Sequence, residues 1–168
     1  MRLHRTPDTE EQAAFRRTVR AFMSRLLEKQ AEWEADGIVP RSVWLEAGEI
    51  GMLGPTVPEE FGGLGLDRRF AAIAIEEQAR ALLSGPGFCG HSNMTTPYLT
   101  RYGTPEQKEK WLPGTVTGEV IMALAMTEPH AGSDLQAIRT TAVRDGDDYV
   151  INGSKIFITN GITADLFV

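Results

Sequence analysis

Hydrophobic and polar positions follow a helical period over the first two thirds of the chain. From Thr9, the residues Phe15, Val19, Phe22 and Leu26 fall on one face. Thr9 and Gln12 have the spacing of a reciprocal N-terminal cap, and Glu10 and Glu11 suit the positive end of the helix. Gly37 is the expected stop. Pro40 then opens a short helix over Arg41 to Glu49 that presents Val43, Trp44 and Ala47, with Gly51 closing it. Gly54, Pro55, Pro58, Gly62, Gly63 and Gly65 make the stretch from Met52 to Leu66 a long, shaped loop. Asp67 is positioned to cap a helix over about Arg68 to Leu83, with Phe70, Ile73, Ala74 and Leu82 inward and Glu76, Glu77 and Arg80 on the wet side. After a turn at Ser84 to Gly87, Phe88 to Tyr102 reads as a buried helix complicated by Pro97. Thr104, Pro105 and Gln107 restart the chain as cap, first residue and capping partner of a helix over Glu106 to Trp111.

After Pro113 the period changes. Val120 to Met126 is a continuous apolar segment, and Ile138 to Val143, Tyr149 to Ile151 and Ile156 to Thr159 are rich in β formers, which predicts strands. Asp145 and Gly146 mark one turn. Asn152 and Gly153 carry a strong two-residue hairpin signal, so antiparallel pairing is expected. Leu166 to Val168 reads as the start of a further strand. The expected fold is α+β: an all-α amino-terminal domain over residues 1–118, then a truncated antiparallel β domain over 119–168. No internal repeat or low-complexity tract interrupts it.

Composition changes this picture little, since 42% hydrophobic and 24% charged residues among 168 are ordinary globular usage. A net charge of −6 argues against a broad electrostatic footprint for nucleic acid or an anionic membrane. No uncharged apolar run approaches the roughly 18 to 20 residues of a membrane span, and Met1 to Glu11 does not resemble a secretory signal. The single cysteine, Cys89, excludes an internal disulfide and points to a reducing compartment. A soluble cytoplasmic protein is the expectation.

Two blocks carry candidate chemistry. In Met122-Ala-Leu-Ala-Met-Thr-Glu-Pro-His-Ala-Gly-Ser-Asp134 a buried strand runs into a loop of small residues. There Pro129 biases Glu128 toward extended backbone, Gly132 allows dihedrals that other residues resist, and Ser133 and Asp134 can satisfy backbone donors. Asn152-Gly-Ser-Lys-Ile-Phe-Ile-Thr-Asn-Gly161 reads as a hairpin leading into a strand with Phe157 in the core. Residue by residue, a ligand loop and an ordinary strand connection both stay open. Elsewhere the signals are weaker. Gly62, Gly63 and Gly65 do not follow a strand in a βαβ unit, so they are no dinucleotide fingerprint. His4 and His91 stand apart from any metal-ligand cluster, and Cys89 has no partner motif for a nucleophile.

Taken together, the two blocks resemble the flavin-binding signature of the acyl-CoA dehydrogenase family. Val57-Pro-Glu-Glu-Phe-Gly-Gly-Leu-Gly-Leu-Asp67, Tyr102-Gly-Thr-Pro-Glu-Gln-Lys108 and Trp111-Leu-Pro113 are similar to further stretches of that family. Ser84 to Gly87 with His91-Ser92 faintly resembles its long-chain members. His130 stands where the family loop often carries glycine.

The resemblance implies FAD as cofactor and a fatty acyl-CoA substrate. It places Leu124, Ala125, Met126 and Thr127 along the flavin ring, with the Thr127 hydroxyl near the pyrimidine edge. Gly132 and Ser133 would lie by the pyrophosphate, with Ser133 also by the CoA portion of substrate. Phe157 and Ile158 would pack on the ring, and the Thr159 hydroxyl would face the nitrogen that receives the hydride. The family reaction yields a trans-2-enoyl-CoA. Its glutamate base sits in a carboxy-terminal helical domain absent from this sequence, so no residue here is assigned as catalytic and Glu128 is taken as structural. An electron-transfer flavoprotein as electron acceptor and a homo-oligomer are also implied. Acyl-CoA oxidases, nitroalkane oxidases and acyl-carrier-protein dehydrogenases share the scaffold. An inactive helical interaction module, or a truncated product, is the alternative from another class.

Overall fold

A computed structural model describes residues 7–168, so His4 lies outside the described residues. Helix α1, Glu10–Leu27, begins at the expected capping box: Gln12 N–H donates to the Thr9 hydroxyl (3.2 Å) and Thr9 N–H to the Gln12 side chain (3.1 Å). Its inward face buries Val19, Phe22, Met23 and Leu26. The helix expected to reach Gly37 is in two pieces. The Lys29 amide donates to the Leu26 carbonyl (2.9 Å), a tight turn, and α2 (Gln30–Asp36) then carries Trp33 into the core before Gly37 ends it at φ 70°.

Helix α3, Arg41–Glu49, buries Val43, Trp44 and Ala47 as the pattern predicts. The following loop folds back on itself, with Leu64 donating to Gly54 (3.1 Å), Leu66 to Pro55 (2.8 Å) and a single 3₁₀ turn at Glu59–Phe61. Helix α4 starts at the Asp67 cap but ends at Arg80, earlier than expected. The Gln78 side-chain amide donates to the carbonyls of Leu83 (3.0 Å) and Pro86 (2.7 Å), which holds the reversed chain against the helix end. Leu83 is thereby buried, whereas Leu82, expected inside, sits at φ 53° and is 80% exposed. Glu77, expected on the wet side, is buried.

From Phe88 the chain is helical as predicted, but it passes through a π-helical turn, Gly90–Thr95, before α5, Thr96–Tyr102. Helix α6, Pro105–Thr117, opens with the Thr104 and Gln107 capping box and continues through Pro113, well beyond the expected end at Trp111. Proline removes one helical donor there, and because Pro113 is exposed its ring and the freed carbonyl are not forced into the core.

The β part is smaller than its sequence suggests. Strands β1 (Met122–Ala123) and β4 (Leu166–Phe167) pair in parallel, whereas β2 (Thr141–Asp145) and β3 (Asp148–Asn152) form an antiparallel hairpin. Asp145 pairs with Asp148, so Gly146 and Asp147 are the turn. Asn152 pairs with Thr141 at the open end, and Asn152-Gly153 is not a hairpin turn. Ile156 to Thr159 forms no strand, because Phe157 (φ 55°) and Asn160 (φ 65°) both leave the β region.

Trp44 centres the main core, edge-on to Phe88 (4.9 Å between ring centroids) and to His91 (5.4 Å). A second cluster gathers Val57, Leu99, Leu112 and Val116. Successive side chains of an extended chain point to opposite sides, and so Ile121 enters the first cluster and Met122 the second. The chain is thus an α+β protein, a helical domain followed by a short β region.

Candidate functional site

The chain leaves the helical layer through β1 and continues without regular structure over Leu124 to Thr127. The second block lies beside it. Ile156 N–H donates to the Thr127 carbonyl (3.0 Å), and Lys155 Nζ donates to the Met126 carbonyl (3.2 Å). Asn160 Nδ2 reaches two carbonyls, those of Met122 and Gly87 (both 3.2 Å), tying the second block to β1 and to the helical domain at once. Leu124, Ala125, Thr127 and Ile158 are half-buried, while Met126 and Thr159 are exposed. The structure therefore brings together Leu124 to Thr127 with Ile158 and Thr159 along one open edge. Gly132 and Ser133 lie in the exposed loop after Ala131.

A fully engaged carboxylate organises this edge. Glu128 is 4% exposed and receives the amides of Arg139 (2.7 Å) and Thr140 (3.0 Å), the Thr140 hydroxyl, and Lys155 Nζ (2.9 Å). Three segments thus converge on one side chain. These donors, the Thr140 hydroxyl first, hold its carboxyl down at about 2. A carboxylate with so low a pKa and four donors already bound to it is a poor general base, which leaves it a structural role. The loop itself is a tight turn in which Glu128 and Ala131 exchange backbone hydrogen bonds (2.9 and 3.1 Å). His130 fits there without a left-handed backbone angle.

Thr159 opens onto a cavity of about 540 Å³ between α4 and the turn that follows it. The wall is apolar: Ile75, Ala79, Leu82, Leu83 and Met94 line it, with half-buried Cys89 beside them. No acidic side chain lines it. Gly87 makes the approach possible, since a Cβ there would stand 2.5 Å from Thr159 Cγ2 and 2.2 Å from Asn160 Oδ1.

Two expectations change. Phe157 is 90% exposed rather than in the core, because its positive φ turns the side chain outward beside Ile156 and Ile158. Gly132 needs no special freedom here, as its φ is not left-handed and a Cβ would meet nothing within 4 Å. Sequence reasoning missed Lys155, Asn160 and Gly87 as site residues. The Asn160-Gly161 pair was a readable signal for a left-handed turn, whereas Lys155 offered none. His91 proves to be a core residue: its Nδ1 accepts from Met122 N–H (3.0 Å) and Nε2–H donates to the Thr115 carbonyl (2.9 Å). Burial depresses its pKa to about 4. Among the described residues no cluster of three metal-ligating side chains occurs, and no helix is long and apolar enough to cross a membrane.

Fold and site define a class: a helical domain that feeds one strand into a doubled loop edge beside an apolar cavity. Comparison with known proteins names it. The acyl-CoA dehydrogenase N-terminal domain matches residues 9–119, and the acyl-CoA dehydrogenase middle domain matches 123–168. The chain belongs to the acyl-CoA dehydrogenase family. The mitochondrial long-chain specific acyl-CoA dehydrogenase of Mus musculus is 47% identical over 161 residues, 95% of this chain and 37% of that protein. A crystal structure of acyl-CoA dehydrogenase from Geobacillus kaustophilus superimposes with a TM-score of 0.91 at 50% identity, covering 96% of this chain and 43% of that one. A third, the acyl-CoA dehydrogenase of Bacillus anthracis complexed with FAD, gives 0.82 at 36% identity over 96% and 28%. The chain spans well under half the length of these relatives.

Proposed function

We propose that this chain forms one wall of a site for FAD and a fatty acyl-CoA thioester, in an enzyme that dehydrogenates the thioester between its α and β carbons. The observation that carries the reading is the lock between the two blocks. Ile156 bonds to Thr127 while Thr159 opens on the apolar cavity. Such an edge suits a flat ring system with polar rims: hydroxyls stand at Thr127 and Thr159, and Leu124, Ile158 and exposed Phe157 offer apolar contact.

FAD, when bound, supplies the acceptor for the hydride that leaves the β carbon. The protein's share is orientation. Thr127 and the neighbouring amide of Met126 would donate to one rim of the ring, while the Ala125 amide is held by the Val168 carbonyl (2.7 Å). Thr159 would position the opposite side at the cavity mouth, and Ser133 would meet the CoA portion. The aliphatic cavity holds the acyl chain away from water. Removal of the α proton needs a base, which Glu128 cannot provide and which no residue lining the cavity provides. The reading takes it from a glutamate outside these residues. An electron-transfer flavoprotein as final acceptor, a homo-oligomeric assembly and a cytoplasmic location belong to the same reading.

The test uses the full-length protein. It is expected to purify yellow with one FAD per chain and to reduce an artificial dye only when acyl-CoA is added. A colourless protein that takes up no FAD would sink the reading. Oxygen consumption in place of dye reduction would move it to an acyl-CoA oxidase.

A further inference from the structure

Ile75 separates the apolar cavity from a second cleft of about 500 Å³, which lies between α4 and the helical stretch Gly90–Tyr102. Its chemistry differs from that of its neighbour. Arg68, in the first turn of α4, and Arg101, in the last turn of α5, both line it. Among the described residues neither guanidinium is held by a carboxylate; Arg101 only lies over the Tyr102 ring. Two unneutralised arginines at one cleft stand out in a chain of net charge −6.

The floor adds an unsatisfied donor. Ser92 is 8% exposed, lines the cleft, and its buried hydroxyl has no hydrogen-bond partner. The π-helical turn accounts for the contrast with its neighbours. Thr95 and Thr96 use the widened turn to donate to carbonyls five residues back, those of Gly90 and His91 (both 2.8 Å), whereas Ser92 makes no such bond. Buried hydroxyls are normally paired; the Ser92 oxygen is shut off from solvent, and a turn about its χ1 would bring it to a ligand oxygen in the cleft. Ala71, Ala72 and Val57 complete an apolar wall.

We propose that this cleft is a small-molecule anion site, taking a ligand with one carboxylate or phosphate head and a short aliphatic body. Arg68 and Arg101 hold the head, Ser92 donates to one of its oxygens, and the body lies along Ala71 and Ala72. Guanidinium forks match the planar oxygens of either head, and the volume is that of an ordinary ligand pocket. The site does not depend on what the neighbouring cavity holds.

Isothermal titration of the full-length protein with n-hexanoate, n-hexyl phosphate and inorganic phosphate tests it. Saturable binding of hexanoate or hexyl phosphate is expected, and the stronger of the two identifies the head. Affinity should fall about tenfold or more in Arg68→Gln/Arg101→Gln. Both arginines are exposed, so this variant is expected to melt like the parent. Ala72→Phe, which fills the wall and leaves both arginines in place, should also abolish binding. No saturable heat with either organic ligand, or heat that both variants leave unchanged, overturns the proposal. Inorganic phosphate binding as tightly as hexyl phosphate would show an adventitious ion only, and would overturn it too.

Discussion

At Gly87 and Gly132 the same residue type carries opposite weight. A methyl group on Gly87 would press on Thr159 and Asn160 at 2.5 and 2.2 Å, and the second block would have to move away from the helical domain. Gly87→Ala is therefore expected to cost about 1–3 kcal/mol in chemical denaturation, the usual range for overpacking, and to weaken FAD retention in the full-length protein. Gly132→Ala, with open space around it, should stay within about 0.5 kcal/mol of the parent. Equal losses from the two would remove Gly87 from the site. Glu128 is the other decisive residue. A carboxyl held near 2, below its ordinary value of 4.5, stabilises the fold at pH above 4.5 and loses that contribution as pH falls from 4.5 toward 2. Glu128→Gln replaces an acceptor with an amide that faces donors. FAD affinity is expected to drop by roughly tenfold, the scale of one charge-assisted hydrogen bond. Unchanged affinity with an unchanged melting temperature would show that the three segments hold their places without the charge.

The contact between α1 and α4 shows how a pair of amphipathic elements can be fastened by charge. Arg16 Nη1 donates to Glu76 (2.7 Å) and to buried Glu77 (2.8 Å), its Nε donates to Asp8 (2.6 Å), and Arg20 completes Glu77 from the solvent side (2.7 Å). The Arg20 hydrogen bond, followed by that from Arg16, outweighs burial and holds the Glu77 carboxyl below its usual range. Removing Glu77 takes from buried Arg16 one of its three carboxylates and leaves it with Asp8 and Glu76. Glu77→Ala should destabilise by about 3 kcal/mol in a denaturant melt, whereas Arg16→Met with Glu77→Met should recover most of that loss. A double variant as weak as the single one would mean that the ion pair itself, not the buried arginine left short of a partner, sets the stability. Helical periodicity placed the starts of both elements correctly but ran each past its end. It misassigned Glu77 because a carboxylate on an apolar face reads as a wet position until its arginines are in view.

Across the whole molecule, His91 joins three parts that are distant in sequence: the π-helical turn, α6 through Thr115, and β1 through Met122. Both ring nitrogens are used. Protonation would place a hydrogen on Nδ1 against the Met122 N–H, in a site that is 0% exposed. With its pKa lowered from 6.5 to about 4, the unfolded chain binds more protons than the folded one between those values. Stability thus falls as pH drops from 6.5 toward 4, by an amount on the order of 3 kcal/mol. Melting curves should show that decline, and in His91→Asn the slope between pH 6.5 and 5 should flatten on a lower overall stability. An equally steep slope in the variant would assign the decline to other groups.

The sequence by itself determined the caps at Thr9, Asp67 and Thr104, the buried faces of α1 and α3, and the family. Each of these depends on neighbours within a few residues or on a contiguous block. What only the tertiary structure decided was the exchange of partners between distant segments. Examples are the parallel pairing of β1 with β4, the outward turn of Phe157, the burial of Glu77, and the lock of Lys155, Ile156 and Asn160 onto β1. The physical reason is that backbone hydrogen bonds and buried charges must find partners wherever the fold brings them. Periodicity records which way a side chain faces but not what awaits it there.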